Sequence, residues 1–296
     1  MSTSAPASRA TGFALVTLTY VLAAVAALYA AEWSTLDRPL ALGWASLVMT
    51  LVCFAASFLA KNSSYFDPYW MAAPPLSCAW LWSQHVEGAS GVRALLVSVL
   101  VTIWALRLTL NWVRSWGGPG HEDWRYVEIQ KRTGRLYWLA SLVAIHLFPA
   151  LLVWLGSLSL VPALATGTAP LGVLDAVAFV VTAGAITIEA VADEQLRAHR
   201  LRATKDGTIM ETGLWAYSRH PNYFGEISFW CGLFVFALAA AGMDAWRCAI
   251  GPAGMIALFV FGTIPMMEKR SLERRPAYAE VQKRVSMLLP LPRRQG

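Results

Sequence analysis

The sequence predicts an all-α polytopic membrane bundle of seven to eight transmembrane helices. Three observations carry that prediction. Hydrophobic residues make up 57% of the 296-residue chain and charged residues only 14%, against about 25% charged in soluble domains. The apolar residues fall into runs of about 20, the length that crosses a ~30 Å hydrocarbon core as a helix. Many of the 14 Trp and 9 Tyr stand at the ends of those runs, as in the aromatic belts of membrane–water interfaces.

In chain order, the runs near 12–31, 40–60, 92–114, 136–161, 171–191, 222–242 and 246–267 are each long enough to span. An eighth run, 70–84, is short and holds Pro74 and Pro75. It reads as a kinked span or a re-entrant piece, because Pro is tolerated where neighbours re-satisfy the backbone. The stretch Met1 to Thr11 is polar with one Arg, and the run after it lacks a small-residue cleavage site. It is therefore read as leading into a retained span, not a removed signal peptide. The chain outside the first and last spans is expected to be mobile. Cys53, Cys78, Cys231 and Cys248 lie in or beside apolar spans without metal-type spacing, as small hydrophobes.

Orientation follows from the basic loops. Loop 114–135 holds Arg114, Arg125, Lys131, Arg132 and Arg135; loop 192–221 holds Arg197, Arg200, Arg202, Lys205 and Arg219. The tail from 268 is also rich in Lys and Arg, whereas loop 162–170 has no charge. The positive-inside rule puts the basic segments, and segment 61–69 with them, on the cytoplasmic side. The formal charge of +6 is thereby assigned to topology and to anionic lipid. No nucleic-acid-binding motif is visible, so no nucleic-acid partner is expected.

Ionisable residues at membrane depth mark candidate sites. Glu189, Asp193, Arg197 and Arg200 follow at spacings that share a helix face; a solvated helix end with internal ion pairs is the plainer reading. The string Thr212 to Glu226 is the densest polar segment and leads into a span through Pro221. Helix N-terminal N–H groups attract anions, and Arg219 has fork geometry for phosphate. Asn222 and Glu226 are four apart and can point into the bundle together, and Tyr217 and Tyr223 offer flat faces and hydroxyls. These parts suit a nucleotide-like ligand; an interfacial hydrogen-bonded elbow is the alternative. Asp67, between Tyr65, Tyr69 and Trp70, is an acid at a span entrance. It is either a helix cap or a carboxyl kept protonated by desolvation. Arg107, Asn111 and Trp112, the stretch Glu122 to Tyr126, and Glu268, Arg270 and Tyr278 are weaker candidates; snorkelling explains much of the last group. No phosphate-binding P-loop, soluble dinucleotide fingerprint or metal cluster is present in the sequence.

The string Leu214-Trp-Ala-Tyr-Ser-Arg-His-Pro-Asn-Tyr-Phe-Gly-Glu226 resembles the signature of bacterial DUF1295 membrane proteins of the steroid 5-alpha-reductase superfamily. Glu189 to Leu196, Glu122 to Tyr126, and Glu268 to Arg270 with Pro276 and Tyr278 support the resemblance, which covers roughly 60 to 292. It implies an NADPH-dependent reductase of a lipophilic α,β-unsaturated ketone such as a 3-oxo-Δ4-steroid. Spans 12–114 would form the substrate side and 136–292 the NADPH side. By position, Asp193, Arg200, Asn222 and Glu226 match cofactor-contacting positions, with Glu189, Arg197, Tyr217, Arg219, His220, Tyr223, Glu268, Arg270 and Tyr278 as further cofactor candidates. Asp67 falls near the acid that meets the substrate carbonyl, with Tyr65 and Tyr126 as catalytic candidates beside it. Tyr69, Trp70, Arg107, Asn111 and Trp112 are the substrate-side candidates. The eukaryotic enzymes carry Gln-Glu where this chain has Phe66-Asp67, and Tyr where Trp112 aligns.

The expectation is thus a monomer in a bacterial inner membrane, with its cofactor site toward the cytoplasm and a lipophilic small molecule and membrane lipid as partners. An S-adenosylmethionine-dependent membrane methyltransferase shares elements of 219–226 and is the alternative enzyme. A transporter or scaffold is the non-enzymatic alternative, although neither internal repeats nor paired broken helices are evident.

Overall fold

A computed structural model describes residues 8–202 and 208–294. Residues 1–7 of the polar N-terminal stretch and Lys205 lie outside the described residues. Among the described residues, six helical segments are long and apolar enough to cross a membrane. The chain is an all-α integral membrane protein.

Helix α1 (Arg9–Glu32) starts at Ser8, whose hydroxyl accepts from Thr11 N–H. Helix α2 (Arg38–Ala60) starts at Asp37, which accepts from Leu40 N–H and is followed by Pro39 in the first turn. Both starts satisfy donors that a helix leaves orphaned. Helix α3 (Tyr69–Ser83) continues through Pro74 and Pro75. Its 15 residues rise about 22 Å at 1.5 Å each, short of a full crossing. Helix α4 (Gly91–Ser115) follows. Helix α5 (Trp124–Thr166) is one 43-residue segment with π-helical turns at Ser141–Leu147 and Val161–Thr166. Helix α6 (Val173–Arg202) packs closely along α7 (Pro221–Ala241).

The last apolar segment, Pro221–Arg274, has 54 residues, about twice what one crossing needs. It breaks at Gly242, whose φ of 59° is natural only for glycine. The chain then returns through α8 (Ile250–Ala257), a π-helical turn Leu258–Thr263 and α9 (Ile264–Arg274). The six segments therefore hold the seven long expected runs. A short α10 (Tyr278–Arg284) ends the bundle.

One end gathers the basic segments. Asn62 Nδ2 donates to Pro119 O (2.8 Å) and His121 O (3.0 Å), and Asp123 N–H donates to Ser64 Oγ (2.9 Å). Residues 61–67 are thus tied to loop 116–123. The expected mobility of the C-terminal tail is corrected: it is stitched onto the 214–219 elbow. Arg219 N–H donates to Ser286 O (2.9 Å), Ser218 Oγ to Leu288 O (2.7 Å) and Leu291 N–H to Tyr217 O (3.1 Å). At the opposite end Arg93, fully buried, clasps Asp175 (2.6 and 3.0 Å) and three backbone carbonyls, of Ala169, Pro170 and Ala239. That clasp joins the starts of α4 and α6 to the end of α7.

Candidate functional site

Helix periodicity and close packing build the site between α4, α6 and α7. Gly225 lets α7 approach α6: a Cβ there would lie against the Glu189 side chain and 2.9 Å from Ala185 O. That approach brings Glu189 and Asp193 of α6 beside Asn222 and Glu226 of α7. Arg107 of α4 enters this cluster, in contact with Glu189, 2.7 Å from Asp193 and 3.6 Å from Glu226. Asn111 Nδ2 donates to Asp193 Oδ2 (2.6 Å) and Asn222 Nδ2 to Oδ1 (3.3 Å). Trp104 and Trp230 donate their indole N–H groups to Glu226 at 3.1 and 3.0 Å. Burying charges without such partners would be costly.

Two cavities meet at Asp123, Asn222 and Tyr223, which line both. The outer one, about 840 Å³, is walled by Arg200, Arg219, Arg270, Arg274 and Arg275, with His199, His220 and Tyr278. The inner one, about 670 Å³, reaches the Arg107 cluster and is lined elsewhere by apolar groups such as Trp70, Trp112, Phe148 and Phe259 together with Asp67, Asp123, Arg125 and Tyr126. Among the described residues, five buried polar atoms of residues facing the inner cavity have no hydrogen-bond partner: Glu189 Oε1, Asn222 Oδ1, Trp112 Nε1, and Arg107 Nε and Nη2, the last in ion-pair contact with Glu189. Native proteins rarely leave such atoms unsatisfied away from a ligand or water.

Asp67 lies on the inner cavity's wall and accepts a hydrogen bond from Tyr126 OH at 2.7 Å. Burial raises its carboxyl to about 7, against the lowering effects of the Tyr126 hydrogen bond and the Arg125 guanidinium. At neutral pH this acid is therefore poised between its two protonation states. Sequence could read it as a helix cap, but its side chain is turned to Tyr126, and α3 starts without a side-chain cap.

Several expected site residues are elsewhere. Arg197 pairs with Glu194 (3.1 Å) on an exposed face. At 100° per residue it is turned about 80° from Glu189, whereas Arg200 returns to within about 20°. Tyr217 is 51% exposed and lines neither cavity. Tyr65 is buried against Val16 and Trp116. Tyr69 is fully buried, bonded through its hydroxyl to Ser46 Oγ (2.6 Å) and stacked on Phe66. Neither tyrosine lines the inner cavity, which leaves Tyr126 as the tyrosine paired with Asp67. Asn111 acts behind Asp193. Arg107, expected on the substrate side, is the hub of the acid cluster, so the inner cavity draws on both halves of the chain.

Arg219 is also not a free phosphate fork. Its Nε binds Glu268 (2.6 Å) and its Nη1 binds the carbonyls of Gln282 and Val285. Glu268 further takes His220 Nε2 (3.2 Å) and Gln282 Nε2 (2.8 Å). These residues anchor the tail that carries the outer wall. Arg270 stacks over Trp124, 3.6 Å from the ring centroid, bridging α9 and α5. Arg274, Arg275 and Trp215 were not singled out in the sequence. The arginines look there like a topology-setting tail, and only the return of α9 to the α6–α7 elbow puts them on the cavity.

The chain matches the family described as "Protein of unknown function (DUF1295)" over residues 53–285. An uncharacterized protein of Schizosaccharomyces pombe is 27% identical over 268 residues, covering 83% of this chain and 77% of that protein. No solved structure matches the chain.

Proposed function

The chain belongs to the DUF1295 family, and we propose that it is a membrane-embedded, NADPH-dependent reductase of the C=C bond of a lipophilic enone, of the steroid 5-alpha-reductase kind. One observation carries this reading. An arginine-walled outer cavity meets an inner one in which apolar walls surround acidic groups, among them a carboxyl poised near neutrality, and the two join at Asn222, whose buried Oδ1 has no partner.

The residues present fit a nicotinamide dinucleotide. Arg200, Arg270, Arg274 and Arg275 suit its phosphates. Their number suits the additional phosphate of NADPH. The acceptors Glu189 Oε1 and Asn222 Oδ1 suit the N–H groups of a carboxamide, and Trp112 Nε1 suits its carbonyl. Tyr223, stacked on His220 at 5.3 Å, lines both cavities, and His220 lines the outer one. When bound, the dinucleotide supplies a hydride for the β-carbon of the enone.

The chain's own groups do the rest. The lipophilic body of the substrate lies against Trp70, Trp112 and Phe148, which exclude water and raise the strength of nearby electrostatic interactions. Asp67, in its protonated form, donates to the substrate carbonyl and stabilises the charge that develops as the enolate forms. Tyr126 fixes one Asp67 oxygen, leaving the other to carry the proton. Proton delivery to the α-carbon completes the reduction. The basic end faces the cytoplasm of a bacterial inner membrane, and the protein works as a monomer with substrate drawn from the bilayer.

Thermal-shift binding of NADPH, NADH and S-adenosylmethionine to detergent-purified protein tests the proposal. A ligand at 100 times its Kd stabilises by about 2.7 kcal/mol. A shift with NADPH, followed by its oxidation in the presence of an enone panel including progesterone, is the expected result. A shift with S-adenosylmethionine alone would transfer the site to methyl transfer, and no shift with any of the three would remove the cofactor reading.

A further inference from the structure

The two cavities carry opposite charge. Among the described residues, five arginines line the outer one, of which Arg219 is paired with Glu268 (2.6 Å), against a single lining carboxyl, Asp123. Five carboxyls face the inner one against two guanidiniums, Arg107 and Arg125. Arg125 is already answered by Asp123 at 2.8 Å. Arg107 alone must then serve Glu189, Asp193 and Glu226. Tyr126 holds Asp67, and Tyr223, the other phenol on this wall, brings no cation. Glu189 is 1% exposed, and its Oε1 has no partner. In a low-dielectric cavity, one guanidinium among three carboxyls leaves a charge that only protons or a further cation can balance.

On the proposed reading of the site as a nicotinamide dinucleotide site, we infer that it holds the oxidised dinucleotide more tightly than the reduced one. The oxidised form is anionic at its phosphates and cationic at its pyridinium ring, the charge complement of the basic outer and acidic inner cavities. The reduced ring is neutral and gains nothing from the surplus of inner carboxyls. Preference for the oxidised form makes the bound reduced form a stronger hydride donor, by about 30 mV for each tenfold of relative affinity in a two-electron couple. A pyridinium entering the inner cavity also replaces protons as the counter-charge, so binding of the oxidised form releases protons and binding of the reduced form does not.

Isothermal titration of NADP+ and NADPH into the full chain in lipid nanodiscs, at one pH in two buffers of different ionisation enthalpy, measures affinity and proton release together. The expected result is tighter binding of NADP+, with net proton release on NADP+ binding alone. Glu226→Gln, which removes one inner charge and keeps an acceptor for one of the two indole N–H groups of Trp104 and Trp230, should cut NADP+ affinity relative to NADPH at least tenfold. Asp193→Asn gives the same readout should Glu226→Gln fail to fold. Two nucleotides that both bind, with NADP+ no tighter and a ratio unmoved by either variant, overturn the inference and leave the reductase reading standing. If neither nucleotide binds the unmodified chain, the reductase reading itself falls.

Discussion

Replacing Asp67 by Asn isolates the proposed carbonyl donor. The substitution keeps the size of the side chain, puts an N–H donor in place of the carboxyl O–H, and keeps an acceptor for Tyr126, which bonds Asp67 at 2.7 Å. It removes the acidic proton. Losing one preorganised donor to a developing oxyanion costs about 10²–10³ in turnover, or roughly 2.7–4 kcal/mol; the surviving amide donor puts the expectation at the lower end, about 10². The pH profile separates this from a general structural loss. With the carboxyl at about 7, half is protonated at pH 7 and only about 1% two units higher. Turnover of the unmodified protein should therefore fall about fifty-fold from pH 7 to pH 9, while the Asn variant stays flat at its lower rate. The assay is NADPH oxidation with a saturating enone, alongside NADPH affinity by titration, which should not change. Full turnover in the variant, or a pH fall that persists in it, would refute the assignment of Asp67. The same carboxyl binds a proton on folding wherever the pH lies between about 4 and 7. The stability it brings is complete below about pH 4 and is lost as pH rises through 7.

Three other perturbations probe separate parts of the fold. Gly225→Ala puts a methyl against Glu189 and the α6 backbone; overpacking of this kind costs about 1–3 kcal/mol. It should lower the melting temperature and abolish NADPH binding together, and a variant that binds normally would show that the α6–α7 approach does not set the site. Arg274→Ala with Arg275→Ala removes two exposed arginines of the outer wall. NADPH affinity should weaken at least tenfold and become less salt-dependent with no change in melting temperature, and unchanged affinity in a titration would take both residues out of the phosphate site. Arg93→Met leaves Asp175 as an uncompensated buried acid at the far end. A loss of about 3–5 kcal/mol is expected, with nucleotide affinity kept at temperatures where the variant is folded; a melting temperature equal to that of the unmodified chain contradicts the role of the clasp.

Burial period and charge placement are local properties, and sequence alone fixed what depends on them. Runs of about 20 apolar residues can only be satisfied as helices in lipid, so the membrane class and the span positions were legible without a structure. So was the 212–226 elbow, because Pro, Asn, Tyr and Glu at helix-start spacing have few other uses. The partners of each charge were not legible, since they come from residues far apart in the chain. Arg107 reads as one basic residue in a span until α4 is packed across α6 and α7, 82 to 119 positions away, and three carboxyls converge on it. Arg219 reads as a phosphate ligand until the tail folds back and takes its donors. Arg197 and Arg200 read alike at spacings of four and three; only the 3.6-residue turn and the place of α7 decide that one faces solvent and the other the cavity. The choice of Tyr126 over Tyr65 as Asp67's partner rests on a contact spanning 59 residues. Tertiary packing decides such pairings because a side chain's neighbours across helices are set by ridge and groove geometry, to which its own sequence neighbours contribute nothing.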